Sequence, residues 1–372
     1  MTKETKRYDV AAYVWPAFRD APEMRWAFPE GMGEWERLRQ ARPKFEGHQT
    51  MGKPLWGYCN EEDRYVMEMQ INAAADHGVN VFIYDWYWYD RRPFLEGCLN
   101  EGYLKARNND RVKFYLMWAN HNVGYGWDIR NSSDLETVLY RGAIGRLEFE
   151  EMARYAMEKH FSQPSYYRLD NKPVFCIYDI DGFVNGCGGI DEAAEALEWF
   201  RGEAVKAGLP GLHLQAVLRG TTRNLSGVDG NATVTQSDAV QRLGFDSITH
   251  YQFCHFLPVG NTFETVMELA VKEWERLGNE YEIPYFPHVS VGWDSNARFK
   301  ALRPAILTEN DPARFRAGLE QLKAYVDSRP DLYPLITLNA WNEWTESCSL
   351  EPTDKHGYGY LEAVRDVFGA SS

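Results

Sequence analysis

From Tyr8 onward, short apolar runs alternate with amphipathic stretches of helical spacing. The apolar runs are Tyr8 to Trp15, Asn80 to Trp86, Val112 to Ala119, Pro173 to Asp179, Leu212 to Leu218, Ser247 to Tyr251, Tyr285 to Val291, and an eighth opening at Leu335. Several are continuously apolar and rich in β-branched residues, the pattern of parallel strands covered on both faces. Helical spacing fills the gaps. Glu61 to about His77 places Val66, Met69, Ala73 and Ala74 on one face and ends before Gly78. Further helices are expected near Leu95 to Leu104, Phe149 to Phe161, Asp191 to Lys206, Thr262 to Leu277 and Pro312 to Asp327, with short ones after Leu218 and after Tyr360.

Strand and helix alternating eight times is the pattern of a (β/α)8 TIM barrel, read here as one catalytic domain over residues 1–372. A doubly wound open sheet is the alternative that spacing leaves open. The alternation is interrupted once, by an insertion after strand one at residues 19–60, rich in Pro, Gly and Trp, with one short helix around Glu34 to Arg39. Loops of that length in a compact domain are usually functional.

In a barrel of this kind, function gathers at the C-terminal ends of the strands. Those ends are polar and aromatic in this chain: Tyr13 and Trp15; Asp85, Trp86 and Tyr87; Trp118, Asn120 and His121; Tyr178 and Asp179; Arg219; His250 and Tyr251; Trp293 and Asp294. The eighth strand, Leu335 to Leu338, runs into Asn339-Ala340-Trp341-Asn342-Glu343-Trp344-Thr345-Glu346. Carboxylates are too costly to bury unpaired, so a strand discharging Asn342, Glu343 and Glu346 beside Trp341 and Trp344 is aimed at a solvent-filled pocket. The bland readings stand beside these: aromatics as core packing, His121 as a bonded structural histidine, Asp85 as a turn cap.

Composition narrows the ligand. Aromatics make up 15% of the 372 residues, with 13 Trp and 22 Tyr, more than a core requires and suited to stacking on sugar rings or to an interface. A formal charge of -14 opposes nucleic-acid or anionic-membrane binding, and no clustered Lys and Arg offset it. No apolar run approaches membrane-spanning length, and the N-terminus has no apolar targeting segment. A cytoplasmic location with reduced cysteines is expected; a periplasmic or secreted one fits if a signal peptide has been removed. Cys176 reads as a small core residue.

Neither metal nor cofactor is expected: H-E-x-x-H, paired Cys/His spacing, phosphate-binding glycine loops and the G-x-S-x-G elbow are all missing. Asp179-Ile180-Asp181 matches a D-x-D pattern that some glycosyltransferases use to hold a metal and a sugar nucleotide. Two carboxylates in an aromatic pocket suggest glycoside hydrolysis instead, one acid protonating the departing oxygen and the other serving the anomeric carbon. Glu343 and Glu346 would face opposite ways on a continuing strand, whereas a turn lets both point inward.

The stretch Asn339 to Glu346, with Leu350-Glu351-Pro352 and Tyr358-Gly359-Tyr360-Leu361-Glu362 behind it, resembles the signature of WbsX-type proteins, which are called glycosyltransferases and are related to glycoside hydrolase family 99. Lys44-Phe45-Glu46-Gly47-His48-Gln49, Trp118-Ala119-Asn120, Lys172-Pro173-Val174-Phe175 and Val291-Gly292-Trp293-Asp294 follow in the expected order. The resemblance implies a barrel that cleaves α-mannosidic linkages with retention. It further implies that Glu343 acts as base on the sugar 2-hydroxyl, giving a 1,2-anhydro sugar, and that Glu346 acts as acid and then base. Two departures touch the implied sugar site: His121, Asn122 and Val123 replace an acidic residue followed by Asn-Trp, and Ser347 replaces a glycine. The expected partner is an oligo- or polysaccharide, in an oligomeric state that the sequence leaves open. A metal-dependent glycosyltransferase and a non-catalytic glycan-binding barrel are the other readings.

Overall fold

The computed structural model describes residues 7–49, 52–220, 224–226 and 233–369. Eight parallel strands form its centre: β1 (Asp9–Val14), β2 (Val81–Tyr89), β3 (Lys113–Trp118), β4 (Lys172–Ile177), β5 (His213–Val217), β6 (Ser247–Thr249), β7 (His288–Ser290) and β8 (Leu335–Asn339). Each pairs with its neighbours in chain order, and β8 returns to β1 in the register Asp9 to Leu335. The circuit closes between β6 and β7 through a parallel bridge of Ile248 and Tyr285. A (β/α)8 barrel therefore stands in place of the open-sheet alternative. In an open sheet β6 and β7 would be exposed edges.

Nine α-helices lie among the described residues: α1 (Trp35–Gln40), α2 (Arg64–Asp76), α3 (Arg146–Ala156), α4 (Ile180–Cys187), α5 (Ile190–Lys206), α6 (Gln236–Arg242), α7 (Phe263–Glu280), α8 (Pro312–Asp327) and α9 (Gly359–Phe368). α7 shows why they form. Phe263, Val266, Met267, Ala270, Trp274 and Leu277 recur at three- and four-residue steps and are buried, while Thr262 caps the first turn by accepting from the Thr265 amide. α2 starts three residues later than its periodicity suggests, because the Asp63 side chain accepts from the Tyr65 amide. The segment expected to be a helix near Leu95 is π-helical over Cys98–Tyr103, and α3 likewise passes into a π-helical turn at Met157–Phe161.

β2 runs to Tyr89, beyond the expected end at Trp86, because Tyr87 to Tyr89 pair antiparallel with Arg92–Phe94. β7 is shorter than its apolar run. The barrel interior is unusually polar but paired: Tyr115 Oη donates to Gln215 Oε1 at 3.0 Å, and Thr249 and Thr337 hydroxyls meet at 3.0 Å. Cys176 is fully buried, and all six cysteines are free. No helix among the described residues is long and apolar enough to cross a membrane.

Candidate active site

The ends of the strands surround a cavity of about 770 Å³. Its wall is assembled by the simple alternation of strand side chains. On β2, Asp85 and Tyr87 line the cavity, whereas Trp86 faces the helical layer, where its indole donates to Glu96 at 2.7 Å beside Tyr155 and His160. On β3, Met117 and Ala119 line the cavity and Trp118 packs against Phe149 and Phe183.

Beyond β8 the chain leaves strand geometry. Asn342–Glu343 pair antiparallel with Cys348–Ser349, and Trp344–Glu346 form one 3-10 turn. The turn brings Glu343 and Glu346 to the same cavity. Asn342 fixes where it starts: its Oδ1 accepts from the Trp15 amide at 2.7 Å and its Nδ2 donates to the Trp15 carbonyl at 2.9 Å, splicing the end of β8 to the end of β1. Behind the turn, Trp341 donates to Gln70 of α2 at 3.2 Å and Trp344 donates to Glu351 at 2.6 Å. These three residues hold the turn and do not line the cavity.

Arg298, in the 3-10 turn Ser295–Arg298 after β7, joins the two glutamates. Its Nη2 donates to Glu343 Oε2 at 2.7 Å, its Nη1 to Glu346, and its Nε to Thr345 Oγ1 at 2.7 Å and Glu34 Oε1 at 3.0 Å. Glu34 precedes α1 in the insertion and is fully buried; it also accepts from Trp15 Nε1, from Thr345 Oγ1 at 2.7 Å and from Arg37 at 3.2 Å. Burial raises Glu34, but Arg298 and Arg37 outweigh it and hold its carboxyl below the usual range.

On the other side of Glu343, Tyr251 Oη lies 3.0 Å from Glu343 Oε1 and 2.7 Å from Asp85 Oδ2. A phenol has one proton to give, so both contacts are hydrogen bonds only when one of the two carboxyls is itself protonated. Asp85 is buried, and its pKa is pushed well up by burial; among the described residues it has no cationic partner at hydrogen-bond distance and its Oδ1 has no hydrogen-bond partner. Glu343 is also raised well above its ordinary value, by burial and then by the neighbouring Glu346 charge, with Arg298 opposing. Glu346 is raised by burial, again against Arg298.

Of the residues expected at the site, Trp15, Asp85, Tyr87, His121, Tyr178, Arg219, Tyr251, Trp293, Glu343 and Glu346 line this cavity. His121 meets Tyr87 and Tyr178 edge-on at 5.5 and 5.6 Å, and burial lowers its pKa. Several others do not reach the cavity, because their polar atoms serve the scaffold. Tyr13 donates to the His250 carbonyl at 3.0 Å and supports Tyr251 from below. Asn120 exchanges two hydrogen bonds with the backbone of Asp179, and Asp179 faces a separate small hollow. His250 stacks on Phe256 at 3.6 Å and bonds Tyr285. Asp294 bonds His48 at 2.6 Å, tying the insertion to the end of β7, and lines a second cavity of about 510 Å³ that shares Trp293 and Pro304 with the first.

Sequence reasoning missed Glu34, Arg37, Trp127, His255 and Arg298, all of which line the cavity. The one signal for Glu34 and Arg37 was the short helix expected inside the long insertion. Arg298 ends a short 3-10 turn in the loop after β7, which no periodic pattern marks in the sequence.

The profile of the family described as Glycosyltransferase WbsX matches residues 10–364. The chain belongs to the WbsX family. Two curated relatives, both named Uncharacterized protein WxcX and from two strains of Xanthomonas campestris pv. campestris, are 24% identical over 98% of the chain. The chain spans about half the length of these relatives, 50% in each case. Among solved structures, this WbsX-family chain is similar to a glycoside hydrolase-like protein (TM-score 0.61, 15% identity, covering 100% of this chain and 96% of that one). It is also similar to the GH99 endo-alpha-mannosidase from Bacteroides thetaiotaomicron (TM-score 0.59, 13% identity, covering 98% and 97%). At that identity the likeness establishes a shared barrel.

Proposed function

We propose that this WbsX-family barrel is a retaining glycoside hydrolase acting on α-mannosidic or similarly configured linkages through the sugar's own 2-hydroxyl. The observation that supports the reading is that Glu343 and Glu346, on one turn, line the same cavity with a single arginine between them. In the first step the Glu343 carboxylate takes the 2-hydroxyl proton, O2 attacks the anomeric carbon, and the glycosidic C–O bond breaks as Glu346 protonates the leaving oxygen. In the second, Glu346 takes a proton from water, the water oxygen attacks the anomeric carbon of the 1,2-anhydro sugar, and Glu343 returns the proton to O2. Burial raises both carboxyls, Glu343 further than Glu346, so the division of roles rests on the family resemblance and not on their pKa values. Glu343 has in Tyr251 and Arg298 two donors that stabilise its ionised form.

Incubation with a bacterial and fungal polysaccharide panel, followed by product sizing and anomeric analysis by NMR, tests the reading. Products released with retained configuration are expected, and Glu343→Gln and Glu346→Gln should each abolish release while leaving the circular dichroism unchanged. Full activity in either variant sinks the assignment; turnover by neither variant nor parent, with glycan binding intact, makes the barrel a binding protein.

The family's name favours a second reading, glycosyl transfer with Asp179 and Asp181 holding a divalent metal. Asp179 is outside the main cavity and within 3.9 Å of Arg219. Calorimetric binding of a sugar nucleotide that EDTA removes supports transfer, and the lack of any such binding dismisses it.

A further inference from the structure

Four arginines line the main cavity, Arg37, Arg219, Arg298 and Arg303, in a chain with a formal charge of -14. Two are committed within the protein: Arg298 to Glu34, Glu343 and Glu346, and Arg37 to Glu34. The other two are not. Arg219, at the end of β5, lies over the Tyr178 ring at 4.9 Å, and its nearest carboxylate among the described residues, Asp179, is 3.9 Å away, too far for a hydrogen bond. Arg303, on the loop after β7, lies over the Phe299 ring at 4.0 Å and has no acidic partner among the described residues. The Nε of each is buried without a hydrogen-bond partner among those residues.

Both positions are built. Asn296 holds Arg303 at both ends of its peptide unit, donating to its carbonyl and accepting from its amide at 2.8 Å each. The Arg219 carbonyl accepts from Gln236 at 3.3 Å. A guanidinium held over an aromatic ring can still offer a parallel pair of N–H groups to the two oxygens of a carboxylate. Partly buried cations without counter-charges are costly, and a ligand that brings the counter-charge removes the cost. The lining also carries Glu34, Asp85, Glu343 and Glu346, but the three glutamates are paired with Arg298 or Arg37 and Asp85 is bonded by Tyr251, so none of the four is the counter-charge of Arg219 or Arg303.

We propose that the glycan taken by this cavity carries carboxylates, that is, a uronic-acid-containing oligo- or polysaccharide, with Arg219 and Arg303 reading the acidic groups. The proposal rests on the preceding one only in placing a glycan in this cavity, and binding tests it separately from hydrolysis.

Glu346→Gln protein is titrated by calorimetry with three ligands: uronate-bearing oligosaccharides, the same oligosaccharides after reduction of their carboxyls to alcohols, and sulfated neutral oligosaccharides. The uronate form should bind about tenfold or more tightly than the reduced form, as expected for charge-assisted pairs, and the preference should shrink as salt is raised. Arg219→Gln and Arg303→Gln, each added to Glu346→Gln, should cut the ratio of uronate to reduced-form affinity several-fold. Equal binding of acidic and reduced forms, preference for the sulfated ligand, or no binding of any of the three overturns the proposal. The salt dependence of the Glu346→Gln protein decides the matter if either arginine variant fails to fold. Hydrolysis of neutral glycans without a uronate preference leaves the hydrolase reading standing and this one overturned; uronate-selective binding by a parent protein that hydrolyses nothing does the reverse.

Discussion

Arg298 Nη2 lies 2.7 Å from Glu343 Oε2 while the adjacent Nη1 bonds Glu346, so one guanidinium bridges both acids proposed for catalysis. The same side chain meets the fully buried Glu34. Three carboxylates within reach of one cation make that cation a keystone of the turn as well as a participant at the site. Replacing it leaves several buried acids facing one another, and breaking a buried pair in this way costs about 3–5 kcal/mol.

Arg298→Met is accordingly expected to be strongly destabilised at pH 7.5 and markedly less so at pH 5. Without the guanidinium the carboxyl pKa values rise further, so the acids are neutralised earlier as pH falls and their repulsion disappears. Urea unfolding at the two pH values measures this. A deficit of equal size at both would mean that Arg298 acts by packing.

Tyr251→Phe removes the phenol that links Asp85 and Glu343. A hydrogen bond to a carboxylate favours its charged form, so losing it raises the Glu343 pKa above its already elevated value. The hydrolase reading needs Glu343 ionised, so the rising limb of the kcat/KM profile should move to higher pH, with lowered activity below the limb and recovery above it. A profile lowered uniformly at every pH would assign Tyr251 to substrate contact instead.

Glu61 sits behind the turn that follows β8, accepting from Asn342 Nδ2 at 3.0 Å and Gln70 Nε2 at 3.2 Å. Burial pushes it from 4.5 up to about 7, with those two amides opposing. A folded-state pKa above the unfolded one means stability present below pH 4.5 that is lost as pH rises through 7. Glu61→Gln should match the parent at pH 4 and exceed it at pH 8 by up to about 3 kcal/mol. Denaturant midpoints across that range are the measurement, and a variant less stable than the parent at pH 8 would show that the ionised carboxylate is well paired.

Ser347 takes a left-handed backbone with φ of 51° directly after Glu346. The Cβ of an L-residue crowds the following carbonyl there, at a cost of roughly 1–2 kcal/mol, part of which glycine gives back in chain entropy. Ser347→Gly should raise the denaturant midpoint by about 0.5–1 kcal/mol of stability with Glu343 and Glu346 undisturbed. A lower midpoint would show that the serine side chain, which lines the second cavity, contributes more than the backbone costs.

The eight strands and the glutamate pair at the end of the last one were legible in the residues alone, because each rests on local pattern; closure into a barrel was not, since spacing left an open sheet possible until β8 was seen to pair with β1. Continuous apolar runs dictate buried strands, three- and four-residue spacing dictates helices, and acids placed among indoles at a strand end must meet solvent or a partner. Asp85, Trp86 and Tyr87 were expected together at the site, and the fold showed that alternation along β2 turns Trp86 to the opposite face.

What tertiary structure decided is how each polar group is spent. Asn342, Trp341, Trp344, Asn120 and His250 carry the same chemistry as the cavity residues, yet their atoms are consumed in fixing β1, α2, the turn after β8, the Asp179 backbone and Tyr285. Arg298 reaches Glu343 and Glu346 across more than forty residues of chain, and Glu34 is folded in from the insertion by Trp15 and Thr345. Such pairings leave no periodic trace. They exist because a closed barrel forces loops distant in sequence over one opening, where buried charges find their partners only after the strands have met.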